Sequence, residues 1–252
     1  MKRVFITGAS SGIGAALASF YARQGASLGL VGRRRDALLT LQASLPGQHK
    51  VYVLDVRDRS ALHAAAADFL MQGPVDAVIA SAGISAGTLT EEPDDYAVFE
   101  AIIATNLNAT VATFEPFIAS MKQRGQGRLV GIASVAAVRG LPGAGAYSAS
   151  KAAVRAYCES LRVELAASGV RVVTLAPGFI ATPMTAHNPY KMPFLMPVDR
   201  FAEQAVQAIG AGVSYKVIPW QMGWVAKLLR IVPDRLYDHF AATRKRKPRI
   251  SS

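Results

Sequence analysis

Cysteine is almost absent: Cys158 stands alone in 252 residues, which excludes an internal disulfide framework and suits a reducing compartment. It falls on the apolar side of a helical pattern, so it reads as a buried thiol rather than a nucleophile. Histidine is scarce too. His49, His63, His187 and His239 pair with no ligand-like spacing, and no metal site is expected. No unbroken apolar run approaches the roughly 18 residues of a membrane-spanning helix. Val4-Phe5-Ile6 is too short for the core of a signal peptide. Internal repeats, low-complexity tracts and interdomain linkers are missing as well. Acidic residues are absent from the first 35 positions, which hold six basic ones, and residues 220–252 carry two acids against eight bases. The net charge of +11 is thus gathered at two places that need separate explanations. Neither resembles a nucleic-acid-binding motif, so no nucleic-acid partner is expected.

What is present is apolar. Hydrophobic residues make up 51% and charged residues 18%, enough for one well-buried domain and too little charge for disorder. Apolar runs at residues 2–6, 27–31, 50–54, 75–80, 128–133 and 170–175 read as strands. Helical patterns separate them: to about Gln24, over 36–45, over 59–71, a long one ending near Arg124, and one that follows Tyr147. Strands that read as nearly continuous apolar runs and alternate with helices predict an α/β fold. It is a Rossmann-type, doubly wound parallel sheet with helices on both faces. The expected organisation is a single domain over 1–219 with a helical C-terminal appendage over 220–252. Ligands in such sheets collect at the carboxyl ends of the strands, where Gly8, Arg33, Asp55, Ser81, Ser134 and Pro177 fall.

Three stretches at those ends suggest chemistry. Gly8-x-x-x-Gly12-Ile13-Gly14 joins the first strand to the first helix, the context in which glycines admit a pyrophosphate to a helix N-terminus. The second strand ends in Gly32-Arg33-Arg34-Arg35, and arginine forks there fit a ribose 2′-phosphate. Asp36 suits the positive end of the next helix, as its cap. Tyr147 and Lys151 lie four apart on one helical face. A phenol has an unperturbed pKa of about 10, and a neighbouring ammonium favours the phenolate. The pair can therefore exchange a proton with a carbonyl or alcohol oxygen, although the spacing alone is a weak signal.

Taken together, Thr7-Gly8-x-x-x-Gly12-Ile13-Gly14, Asp55-Val56, Ser81-Ala82-Gly83, Asn106, Ser134, Tyr147-x-x-x-Lys151 and Pro177-Gly178-x-x-x-Thr182 make the chain resemble a classical short-chain dehydrogenase/reductase from residue 2 to about 219. The resemblance implies an oxidoreductase that exchanges hydride with a carbonyl or alcohol. Tyr147 would be the general acid/base, Lys151 would lower its pKa and hold the nicotinamide ribose, and Ser134 would bind the substrate oxygen. Asn106 would anchor a water-linked proton relay. Gly8, Ser10, Ser11, Gly12, Ile13 and Gly14 would form the pyrophosphate turn. Asp55 and Val56 would meet the adenine. Ser81, Ala82, Gly83, Pro177, Gly178 and Thr182 would complete the cofactor site. Arg33 and Arg34 match the members that use NADP(H), and a homodimer or homotetramer is expected. Ser81 departs from the asparagine usual at that place and offers fewer hydrogen-bonding groups.

Past Thr182, residues 183–197 carry three of the seven methionines with Phe194 and Leu195. If this stretch closes over the site, the substrate is apolar: acyl, lipid-like, sterol-like or aromatic. Otherwise it is a surface loop packed on the body. His187 could touch substrate, although a plain loop histidine is the simpler reading. In the appendage, residues 220–232 form a wide apolar arc with Trp220 and Trp224, and 234–243 suggests a second helix. Packing against the body ranks ahead of membrane contact. On the packing reading both tryptophans are buried and only the tail from Arg244 is free to meet an anionic surface. The expected location is the cytoplasm, with attachment to the cytoplasmic face of a membrane as the second option. A catalytically silent dinucleotide-sensing or scaffold protein on the same fold is the competing function.

Overall fold

In a computed structural model, residues 2–186, 188–243 and 246–249 are described. His187, Arg244 and Lys245 lie outside them. Seven parallel strands form the sheet: β1 (Arg3–Thr7), β2 (Ser27–Gly32), β3 (Lys50–Val53), β4 (Ala77–Ala80), β5 (Gly127–Ile132), β6 (Val170–Pro177) and β9 (Tyr215–Ile218). Their spatial order is β3-β2-β1-β4-β5-β6-β9. The chain winds outward from β1 in one direction and returns to wind outward from β4 in the other. β1 pairs with both β2 and β4, with Ile6 opposite Leu30 and Ile79. The doubly wound α/β expectation holds.

Alternation within the strands feeds two cores. Val4 and Ile6 pack on one face with Leu28 and Leu30. There they meet α1 (Gly12–Arg23), α2 (Arg35–Ser44) and α7 (Val198–Ala211). Phe5 and Val31 point to the other face with Val78 and Val172. They meet α3 (Arg59–Met71), α5 (Ala109–Arg124) and α6 (Gly145–Glu164) there. Phe5 stacks obliquely on Phe69 and Phe117, with ring centroids 5.7 and 5.0 Å apart. Truncating a fully buried phenylalanine of this kind costs about 3–5 kcal/mol. Cys158 is buried beside Val154 and Leu161 as expected, and burial pushes its thiol up to about 11.

Three features were not foreseen. The seventh strand β9 is too short and too polar at Lys216 to show as an apolar run, although Ile218 is fully buried. A two-residue pair, β7 (Ile180–Ala181) with β8 (Met196–Pro197), pins the base of the loop between them. α4 (Asp95–Ile103) continues through a π-helical turn, Ala104–Asn108, into α5, so Asp95–Arg124 is one rod of 30 residues. By length and composition that rod could cross a bilayer, contrary to the expectation from unbroken runs. Its Phe114, Phe117 and Met121 are instead fully or almost fully buried in the core.

The appendage folds as α8 (Trp220–Ile231) and α9 (Asp234–Ala242). α8 buries Met222 and Ala226, and it is held to the body by Arg139. That guanidinium donates to the carbonyls of Leu229 and Val232 at 2.8 and 2.5 Å, satisfying the open end of the helix. It also bonds Asp234 at 2.6 Å and stacks on the Tyr237 ring at 4.1 Å. The tryptophans correct the packing expectation. Trp220 and Trp224 are 65% and 64% exposed, because small and flexible Ala226 and Met222 make the contact while the larger rings face away.

Candidate active site

At the carboxyl edge of the sheet, the turn after β1 supplies one half of a cleft. Gly8 has φ of 70°, and a β-carbon there would come within 2.7 Å of the Ala82 backbone. The turn therefore lies close to the end of β4, and Gly8, Ser10, Ser11, Gly12, Ile13 and Gly14 all border the cleft. Ser11 is the first residue outside α1 and makes no capping hydrogen bond with its side chain. The amides of the first turn thus suit an anion such as a pyrophosphate. Arg34, after β2, clamps this turn: Nη2 donates to the Ser10 carbonyl at 3.0 Å and to Ser10 Oγ at 3.2 Å. Arg33 stands beside it, 62% exposed, with Nη1 3.8 Å from Asp55. Arg57 holds the Asp55 carboxylate through bonds of 3.0 and 2.7 Å, which keeps the acid below the usual carboxylate range. Asp36 sits inside the first turn of α2, whose capping position is Arg34, so the carboxylate meets the helix dipole without being the cap. Val56, Ser81, Ala82, Gly83, Pro177, Gly178 and Thr182 complete the same wall.

The other half is built on α6. Tyr147 enters the first turn, and Lys151 follows one turn later on the same face, 5% exposed. Lys151 Nζ donates to the Ile132 carbonyl at 2.8 Å and lies 5.8 Å from the centroid of the Tyr147 ring. Ser134, just past β5, caps a short turn by accepting from the Ala136 amide at 3.1 Å, and it is close enough to Tyr147 to act on its phenol. Burial pushes the Tyr147 phenol above its ordinary value; Ser134 opposes this, and nearby Tyr190 adds to it. Burial brings Lys151 down to about 8. The expected depression of Tyr147 by Lys151 does not emerge in this geometry: desolvation raises the phenol, and Ser134 is the group that opposes it.

Asn106 is the one predicted residue behind the cleft. It is fully buried in the π-helical turn, a distortion that often marks functional places in helices. Its amide nitrogen donates to the Ile84 carbonyl at 3.0 Å and Ser150 Oγ at 2.9 Å, and its oxygen accepts from the Ile84 amide at 2.8 Å. Ser150 in turn donates to the Tyr147 carbonyl at 2.8 Å. Both donors are engaged, so Asn106 ties the loop after β4 to the start of α6. A β-carbon at Gly83 would sit 3.2 Å from Asn106 Oδ1 and 3.4 Å from Lys151 Nζ. The glycine permits that approach.

Sequence reasoning missed two groups. Tyr190, whose phenol burial also raises, lies in the loop between β7 and β8, close enough to act on Tyr147. Its one visible signal was membership of the methionine-rich loop, whose Met184 and Thr185 also line the cleft. The second is Lys247, read from sequence as part of a free tail. Its ammonium donates to Ser85 Oγ at 2.8 Å and lies 6.0 Å from the Tyr147 ring centroid.

Comparison with known proteins agrees with this arrangement. A family model described as short chain dehydrogenase matches residues 2–192. An uncharacterised oxidoreductase of Myxococcus xanthus is 37% identical over 248 residues, covering 97% of each chain. The 2-dehydro-3-deoxy-L-rhamnonate dehydrogenase (NAD(+)) of a Sphingomonas species is 38% identical over 187 residues, covering 73% of this chain and 74% of its own. Among solved structures, the alcohol dehydrogenase of Thermococcus sibiricus, complexed with 5-hydroxy-NADP, superposes with a TM-score of 0.77 at 29% identity. That match covers 86% of this chain and 96% of the other.

Proposed function

The chain belongs to the short-chain dehydrogenase family and is an oxidoreductase of alcohol and carbonyl groups; from that premise we propose that it uses NADP(H), with Tyr147 as general acid/base, on a substrate with an apolar body. The observation that carries the reading is the meeting of Tyr147, Ser134 and Lys151 in one cleft with the glycine turn and two arginines. The nicotinamide supplies or accepts the hydride. Tyr147 Oη gives its proton to the substrate oxygen in the reductive direction, and burial keeps that proton in place beforehand. Ser134 Oγ, close to Tyr147, steadies the charge that develops on the same oxygen. Lys151 would hold the nicotinamide ribose, and Asn106 fixes α6 against the loop after β4. Gly8, Ser10, Ser11, Gly12, Ile13 and Gly14 would hold the pyrophosphate, and Arg33 and Arg34 a 2′-phosphate. The relatives' names mention both NAD and NADP, so the preference rests on those two arginines. Met184 in the cleft supports an apolar substrate, whereas Phe194 and Leu195 line a separate hollow beside Trp220.

The test is nicotinamide absorbance, read while ketones and alcohols of graded chain length are screened with NADPH and NADH. Turnover with NADPH on the longer members supports the reading. Tight NADPH binding with no turnover anywhere favours the silent sensor, which has no use for the proton donor at Tyr147.

Assembly and location extend this reading. Tyr96, Phe99 and Val163 are exposed on the outer faces of α4 and α6 and support a homodimer or homotetramer, to be read by light scattering. The single cysteine fits the cytoplasm. Trp220, Trp224, Leu228 and Ile231 form one exposed stripe on α8, and Leu236 and Phe240 are exposed on α9. Exposed Lys227, Arg230 and Arg235 flank the stripe. Tryptophan with flanking cations supports peripheral contact with an anionic bilayer. Co-sedimentation with phosphatidylglycerol vesicles at low salt tests it; no binding there, or dimerisation through this stripe instead, defeats it.

A further inference from the structure

Residues 246–249 run between the loop after β4 and the loop before α6, close to Tyr147, and are fastened on both sides. The Gly87 amide donates to the Pro248 carbonyl at 2.9 Å, and Gly87 bridges Arg249 as in a parallel sheet. A side chain at Gly87 would collide with the Lys247 and Pro248 backbone. Arg249 bonds Asp95 at 2.9 Å and Glu92 at 3.2 Å. On the far side, the Arg246 side chain lies against Gly143, in the loop that leads to Tyr147. Pro248 and Arg249 account for the fastening; Lys247 is left for another task.

Its ammonium is half-buried near Ser85 and the Tyr147 ring, and that ring has two lysines near it, with Lys151 Nζ at 5.8 Å and Lys247 Nζ at 6.0 Å. Three N–H groups meet one named acceptor, the neutral Ser85 hydroxyl at 2.8 Å. Among the described residues no carboxylate lies within 4.0 Å of it, whereas Arg249 two residues on has two. A cation withdrawn from water without a counter-charge is costly, and burial duly draws its pKa down. An arriving anion removes that cost.

We propose that Lys247 and Ser85 form an anion subsite beside Tyr147 that seats a carboxylate of the substrate. This rests on the proposed function and refines it: the apolar carbonyl compound is an oxo acid, or the matching hydroxy acid, with a short spacer between its two groups. A carboxylate is favoured over a phosphate because the subsite offers one charge and one hydroxyl, where phosphate recognition draws on arginine forks or several donors. Charge-assisted hydrogen bonds are shorter and stronger than neutral ones, so the subsite contributes mainly to binding and orientation.

The test compares 2-, 4- and 5-oxohexanoate with their methyl esters, using NADPH and three variants. Wild type favours at least one acid over its ester. Lys247→Met lowers the acid-to-ester ratio of kcat/KM about 30-fold, chiefly through KM, and Lys247→Arg keeps most of it. Arg249→Ala, which loosens only the fastening, lowers acid and ester together. The proposal is overturned if Lys247→Met lowers both alike, or if wild type shows no preference for an acid. Calorimetry of hexanoate on the protein with NADP+ keeps the test independent of turnover. Binding that Lys247→Met abolishes supports the subsite even if no oxo compound reacts, an outcome that would sink the proposed function alone. Equal binding by wild type and Lys247→Met, or none by either, overturns the subsite.

Discussion

The two halves of the cleft are built in opposite ways. The cofactor half comes chiefly from turns that directly follow β1, β2 and β3, within the first 56 residues, and the ends of β4 and β6 complete it. The substrate half is gathered from the loop after β4, the loop before α6, the loop between β7 and β8, and a strap that returns 162 residues after its partner Ser85. Backbone geometry after a strand is constrained and repeats among proteins with the same sheet. Side chains gathered from distant loops are free to differ. The first half fixes which reaction class the chain can run, and the second decides on what.

The contrast can be broken first at Tyr147, which faces both halves. Tyr147→Phe removes one oxygen and should cut single-turnover reduction by at least about 10³-fold. The dissociation constant for NADPH, read by fluorescence titration, should change little. Near-normal turnover would remove Tyr147 from the proton path.

Lys151 sharpens the contrast through stability. Its folded pKa of about 8 lies below the ordinary 10.5, so the unfolded chain binds more protons between those values. The stability of the wild type relative to Lys151→Met should therefore rise as pH climbs through that window, by something on the order of 3 kcal/mol. Urea denaturation without added nucleotide checks it, and a difference that stays flat with pH would mean the ammonium is not buried.

Arg33→Ala combined with Arg34→Ala should weaken NADPH about 100-fold and leave NADH within a few-fold, since charge-assisted bonds to one phosphate are lost. Equal wild-type dissociation constants for the two cofactors would end the NADP assignment. The smallest effects lie in the appendage. Met222→Ala, on the buried side of α8 at 5% exposure, should cost about 2 kcal/mol. Trp224→Ser, at 64% exposure, should stay within about 0.5 kcal/mol. The reverse order would show that the helix docks by its tryptophan face.

The same division explains what could be read from the chain. Gly8, Ser134, Tyr147 and Lys151 sit where a strand ends or a helix begins, and strand ends can be counted along a sequence. β9 hid because four residues with one fully buried side chain leave no periodic trace. Trp220 and Trp224 misled because an apolar arc says a face is apolar, not that it is covered; the smaller Ala226 and Met222 fit the body better. Lys247 misled for a different reason. A basic run looks solvated until its acceptors are known, and Ser85, Glu92 and Asp95 lie in another part of the chain. Asn106 was named by resemblance, yet the engagement of both its amide protons depends on Ile84 and Ser150, which no spacing rule connects to it.

The Gly87–Pro248 hydrogen bond gives the strap its own clock. Amides in the core strands exchange with solvent deuterium only when the whole domain opens, while peripheral contacts open separately and at lower free energy. Gly87 is the donor in that bond, and it belongs to a loop rather than to the sheet. Its exchange rate therefore reports how often the strap leaves the loop after β4, while the Ala9 amide, bonded to the Val31 carbonyl at 3.0 Å, reports on the glycine turn in the same sample. The ratio of the two rates compares the opening of the strap beside Tyr147 with the opening of the glycine turn, residue by residue and before any substrate has been named.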